Sequence, residues 1–383
     1  MSSPRSSRFA IALVALALVA FPSLPALAGT TFKVNDTRDF VKAGDHLCSI
    51  REALTAANNN VKNTDCASTA GTFGLDTIVL QSNKIYTVNS TLEVKDDLKI
   101  TVTSPGNVAT LIGPSTNNPV FLIDEVVAFF GDNLFVDQSA GGGLVDDGGQ
   151  VALTNFFVAN SRFGVGTVVG AGNDLALIRS EIRDNFGNNT GGGVSMDGEL
   201  TMDSSTVSGN SVNLNGAGIF LNGSLDAVNS TIGNNVAGND GGGIQIGSGT
   251  VSCLNCTISG NSSHHAVGSG INLLFGTVQL TNTILAGNAS GRDCAGNIGS
   301  GGNNLIGSTV GCTFTRTAGD LVGVAPMLTA LQLHDGDVTD TFVPSSGSPA
   351  INHGNNGACP AVDQNGHPRP VGPACDIGSV EVP

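Results

Sequence analysis

The sequence has no tryptophan and a single tyrosine, Tyr86, in 383 residues. It is thus poor in the rings that commonly line a sugar cleft. Lysine stops early: the last is Lys99, and between Arg183 and Arg292 there is no Lys or Arg at all. A polysaccharide lyase needs a base beside a uronate, which on solenoid folds is typically Lys or Arg, so the middle of this chain disfavours that chemistry. Arg162, Arg179 and Arg183 remain just upstream. Positive charge is scarce overall, with 16 basic against 31 acidic residues and a net charge of −15. That balance argues against nucleic acid, anionic membranes and polyanionic substrates as partners. After the N-terminal segment no apolar run is long enough to span a bilayer.

That N-terminal segment reads as a secretory leader. Arg5 and Arg8 precede thirteen apolar residues, Phe9 to Phe21, and "ALA" at 26–28 is a small-x-small cleavage site. Its removal takes the net charge from −15 to −17, because the leader holds two Arg and no acid. In an exported chain the eight cysteines are expected as disulfides.

Glycine, at 53 residues, and abundant Asn, Ser and Thr come with 40% hydrophobic content. Their spacing explains the combination. Eleven-residue segments that align without gaps begin at Val151, Leu175, Leu200, Leu225, Val251 and Val278, with a fainter copy at Val127. A period near 25 residues signifies a solenoid. The first column, those six residues, is apolar. So is the third: Leu153, Leu177, Met202, Ala227, Cys253 and Leu280. Apolar residues two apart with a polar one between them describe strands with one face inward. The eighth column, Val158, Ile182, Val207, Ile232, Ile258 and Leu285, opens a second buried strand, and glycine-rich "GGGVSM", "GAGIFL", "GGGIQI" and "GSGINL" announce a third. The fifth column, Asn155, Arg179, Ser204, Asn229, Asn255 and Asn282, is expected at a left-handed turn. Three short strands per coil without helical returns predict a parallel β-helix; leucine-rich repeats need a different spacing. Right-handed coiling is the rule for such crossovers.

"CSIREALTAANN" from Cys48 resembles the motif of the CSLREA domain, with Ile50 in place of Leu, and the C-terminal "SPAINHGNNGACPAVDQNGHPRPVGPACDIGSVEV" resembles the choice-of-anchor Q module. The resemblance implies a secreted β-helix and no general enzymatic activity. The residues carry structural roles by themselves. Ser49 and Glu52 fit a capping box, Arg51 an ion pair, and Asn58 to Asn60 a helix stop. Pairing in local order gives Cys48–Cys66, Cys294–Cys312 and Cys359–Cys375, and leaves Cys253 and Cys256 for a short disulfide across the Asn255 turn. Packed thiols are the alternative for that last pair.

Few residues are candidates for chemistry. Asp203 and Asp226 face outward on neighbouring coils, and the diagonal places them about 7–8 Å apart, a separation that suits an inverting glycosidase. Solvated surface acids are the simpler reading. Asp146-Asp147 and Asn239-Asp240 do not fit the nonapeptide calcium pattern, and His264-His265 sits in a polar loop without a matching ligand. Phe121, Phe129, Phe130, Phe135, Phe156 and Phe157 are expected in the core.

The reading is an all-β, right-handed parallel β-helix of the pectin-lyase-like kind. Residues 1–28 form the leader, 29–75 a CSLREA-like cap with a short helix, 76–310 the coils, and 311–383 a loop-rich, disulfide-stapled C-terminal cap. The expected role is a non-catalytic extracellular or surface-associated protein for adhesion or for glycan or protein contact, with no cofactor and no metal. The alternative is a secreted carbohydrate-active enzyme, an inverting hydrolase ahead of a lyase.

Overall fold

The computed structural model describes residues 28–383 except 62, 64, 70–73, 126, 168–172, 266, 290, 291 and 335. The segment read as a leader, 1–28, lies outside the described residues save Ala28. The described residues form a parallel β-solenoid of about nine turns with one short helix.

The sequence columns become ladders of hydrogen-bonded strands. Val151, Leu175, Leu200, Leu225, Val251 and Val278 pair in parallel register, and so does the third column. The eighth column, Val158 to Leu285, pairs likewise in a second sheet, which we call the flank sheet. All three columns are buried in one continuous core. Every fifth-column residue has positive φ, between 46° and 52°. Asn suits this turn because its side chain tolerates the left-handed region.

The third strand is not separate in the central coils. Val194–Asp203, Ile219–Val228 and Ile244–Leu254 each run as one strand through the start of the next coil. Glycine makes the bend: Gly198, Gly223 and Gly249 have φ of 146°, 148° and 125°. A Cβ at Gly223 would lie 2.0 Å from the Gly198 carbonyl oxygen. The solenoid also reaches beyond 76–310 at both ends. Ala28–Lys33 pairs in parallel with Leu75–Leu80, and Leu321–Val322 with Leu305–Ile306.

Helix α1 (Ile50–Asn58) leans on the first coils. Ser49 accepts the Glu52 N–H, and Glu52 accepts the Ser49 N–H in return. Ile50, Ala53, Leu54 and Ala57 are buried beneath it. Disulfides join Cys48 to Cys66, Cys294 to Cys312 and Cys359 to Cys375.

Two sequence expectations are corrected. Cys253 and Cys256 are free, buried thiols. Cys256 stands where other coils carry serine, and its thiol donates to the Ala227 and Leu254 carbonyls as Ser205 does to those of Leu177 and Asp203. That ladder holds its sulfur in the hydroxyl's place. Of the six phenylalanines, Phe121, Phe129 and Phe156 are fully buried, but Phe130, Phe135 and Phe157 face outward, half-buried. Adjacent residues of a strand point to opposite faces, so "FF" cannot be wholly inside.

The C-terminal module caps the solenoid from the side. It folds back along the outer face of the flank sheet, where Thr231 donates to Gln364 at 2.7 Å and Asn229 to the Val362 carbonyl at 2.8 Å.

Candidate functional site

A groove of about 810 Å³ opens between α1 and the first coils. Its floor is three register-paired outward residues, Glu93, Leu122 and Val145. One wall is the exposed side of α1, with Arg51, Thr55, Asn58 and Asn59. The other is Ser90, Thr91, Asn118 and Pro119, and Lys95 closes one end. The helical period brings Arg51, Thr55 and Asn58 to one side. Strand alternation lifts Glu93 out between buried Leu92 and Val94.

The charges that line the groove are paired. The Arg51 guanidinium donates to both carboxylate oxygens of Asp39 at 2.6 and 2.7 Å, and to the Thr91 and Ser90 carbonyls at 3.1 and 2.7 Å. Asp39 is almost wholly buried by this clasp. Lys95 lies 2.7 Å from Glu93, which holds the lysine's pKa above its ordinary value. Asn58 docks α1 by donating to the Glu93 carbonyl and accepting the Lys95 N–H. What faces solvent is therefore rich in amides and hydroxyls: Asn59, Asn118, Thr55 and Ser90 are all exposed.

Asp203 and Asp226 sit elsewhere, on the outer face of the long sheet. Asp226 pairs in register with Thr201, two residues from Asp203, so the diagonal holds. Asp226 is exposed, and Asp203 accepts from Ser204 at 2.9 Å. Neither lines the groove beside α1. His264 and His265 are exposed, and His265 lies 3.5 Å from Asp240. Asp146 is fully buried, its carboxyl pushed up to about 6 by desolvation, and accepts the Gly149 N–H. Among the described residues no three His, Cys, Asp or Glu side chains are grouped to hold a metal ion, and no helix is long and apolar enough to cross a membrane.

Arg51, read from the sequence as an ion-pair residue, lies in α1 and pairs with Asp39, but the sequence reading missed the groove. Its floor comes from three coils upstream of the regular repeats, where the columns are faint.

The architecture defines a parallel β-helix protein. No family model and no curated protein matches the chain. Among solved structures it is similar to pectate lyase Pel9A, with a TM-score of 0.59 at 14% identity over 92% of this chain and 97% of that one. The likeness is one of fold.

Proposed function

We propose that this protein is exported and binds glycan in the groove beside α1 without turning it over. The observation that carries the reading is the internal pairing of Arg51 and Lys95. Neither cation is left free as a base, while amides and hydroxyls remain for sugar hydroxyls, the kind of polar lining that fixes orientation in a binding cleft. The fold it shares with a pectate lyase supports a carbohydrate ligand, and three disulfides support an extracellular setting. Membership of the CSLREA and choice-of-anchor Q group belongs to the same proposal, supported by the two end motifs. Surface association and adhesion would follow from glycan contact.

A glycan array with neutral and acidic polysaccharides tests it, paired with assays for new reducing ends and unsaturated products. Binding without turnover is expected. Thr55→Ala and Asn118→Ala should each weaken binding about three- to tenfold, the loss of a hydrogen bond or so. The second reading, an inverting hydrolase, rests on the Asp203–Asp226 diagonal. New reducing ends that vanish in Asp203→Asn and Asp226→Asn would establish it instead.

A further inference from the structure

The C-terminal module covers the flank sheet unevenly. On the covered coils one outward column reads Thr206, Thr231, Thr257, and each hydroxyl meets the module. Thr206 donates to the Asp340 carbonyl at 2.8 Å, Thr231 to Gln364 at 2.7 Å, and Thr257 accepts the Ser379 N–H at 3.0 Å. Upstream the same column is Phe135 and Phe157, packed edge to face 6.5 Å apart. The residue at the boundary is Glu181, in register with Phe157 on one side and Thr206 on the other. Its side chain is only 5% exposed.

Glu181 is poorly compensated for an ionised carboxylate. Oε2 accepts one long bond, 3.4 Å, from the Asp340 N–H, and Oε1 has no hydrogen-bond partner. The charged groups facing it are Arg183 on its own strand and Asp340 on the module; Phe157 and Thr206 bring none. Arg183 stands 3.9 Å away, half-exposed, and is shared with Asp184 at 2.8 Å. An ion at Glu181 would thus face another acid across a buried interface, with a diluted counter-charge.

We propose that Glu181 is a proton-gated latch: protonated, it holds the leading margin of the C-terminal module on the flank sheet; ionised, it repels Asp340 and lets that margin lift. Burial first, and then the Asp340 charge, push the Glu181 carboxyl up to about 8 against the pull of Arg183. The docked state therefore binds a proton that the lifted state releases. Docking is fully favoured below the ordinary carboxylate range and is lost as pH rises towards 8. Lifting would uncover Glu181 and Thr206 beside the Phe135–Phe157 pair.

Hydrogen exchange of residues 339–342 between pH 5 and 9, corrected for intrinsic exchange, reads the latch. Protection should fall by up to about tenfold per pH unit as pH rises to 8 and level off above it. In Glu181→Gln it should be independent of pH. A flat wild-type profile, or the same slope in Glu181→Gln, overturns the proposal. Should Glu181→Gln fail to fold, carbon NMR of the wild-type Glu181 carboxyl decides: a midpoint near 8 supports the latch, and one in the ordinary glutamate range sinks it. Neither readout depends on glycan binding, so the latch and the proposed function fail separately.

Discussion

An asparagine buried without partners would leave both an amide donor and a carbonyl acceptor unsatisfied. Here Asn185, Asn210, Asn235, Asn261 and Asn288 stand in one file inside successive coils and satisfy one another. The Asn235 amide donates to Asn261 Oδ1 and to the Val207 carbonyl, while its own Oδ1 accepts both the N–H and the amide of Asn210. The file ends on Asp293, whose Oδ1 accepts the N–H and amide of Asn288. A carboxylate needs no further acceptor, so it suits the last rung. Asn235→Ala should cost about 2–4 kcal/mol, since several buried groups lose partners together, and chemical denaturation would measure it. The thiols make a second test at this scale. Its contact with the Cys256 thiol, and then burial, push the Cys253 pKa up. Native protein should be unreactive to thiol reagents and denatured protein should yield two thiols per chain. Cys256→Ser restores the ladder hydroxyl and should leave the denaturation midpoint within about 1 kcal/mol of wild type. Two thiols reactive without denaturant would refute the packing described.

Elements were legible where a local rule sufficed. The capping box of α1 could be read from Ser49 and Glu52 because its bonds span three residues. Ser49→Ala should destabilise by about 1–2 kcal/mol, at the upper end for a cap, because the buried hydroxyl that accepts the Glu52 N–H also donates to the Phe40 carbonyl at 2.7 Å. Urea unfolding followed by circular dichroism checks this. Strands were legible as columns because period two and a 25-residue repeat reinforce each other. The buried Asn file was present in the aligned segments as their last column, yet nothing in one segment says that its amide points in. The groove and the flank docking left no local trace. Thr231 and Ser379, whose hydroxyls lie 3.0 Å apart, are separated by 148 residues. Their identities as small polar residues are common to any turn-rich chain. The column-five asparagines were rightly read as turns. Their second duty, as in the bonds from Asn255 to the Asp376 and Gly378 carbonyls, exists only once the module is in place.

For the whole molecule, the direction of acid–base linkage follows from where its carboxyls are buried. Desolvation raises Asp146 to about 6 and also raises Asp76, Asp293, Asp376 and Glu381, while Glu181 stands at about 8. Asp36, paired with Arg38, shifts the other way. A carboxyl raised in the folded state holds a proton that the unfolded chain gives up. Its contribution is thus complete below its ordinary value and disappears as pH rises through the folded one. Asp146 alone, moved by about two units, would withdraw about 3 kcal/mol between pH 4 and 6. Summed over the buried acids, with a net charge of −15 that repels itself more as they ionise, stability should peak in mild acid and decline towards pH 8. Thermal unfolding from pH 4 to 9 should show the melting temperature falling across that range. In Asp146→Asn the fall between pH 4 and 6 should shrink, and in Glu181→Gln the fall between pH 6 and 8. A melting temperature that climbs from pH 5 to 8 would mean that the buried acids are ionised in the native state, with solvent or cations reaching them, and the burial described for Asp146 and Glu181 would then be wrong.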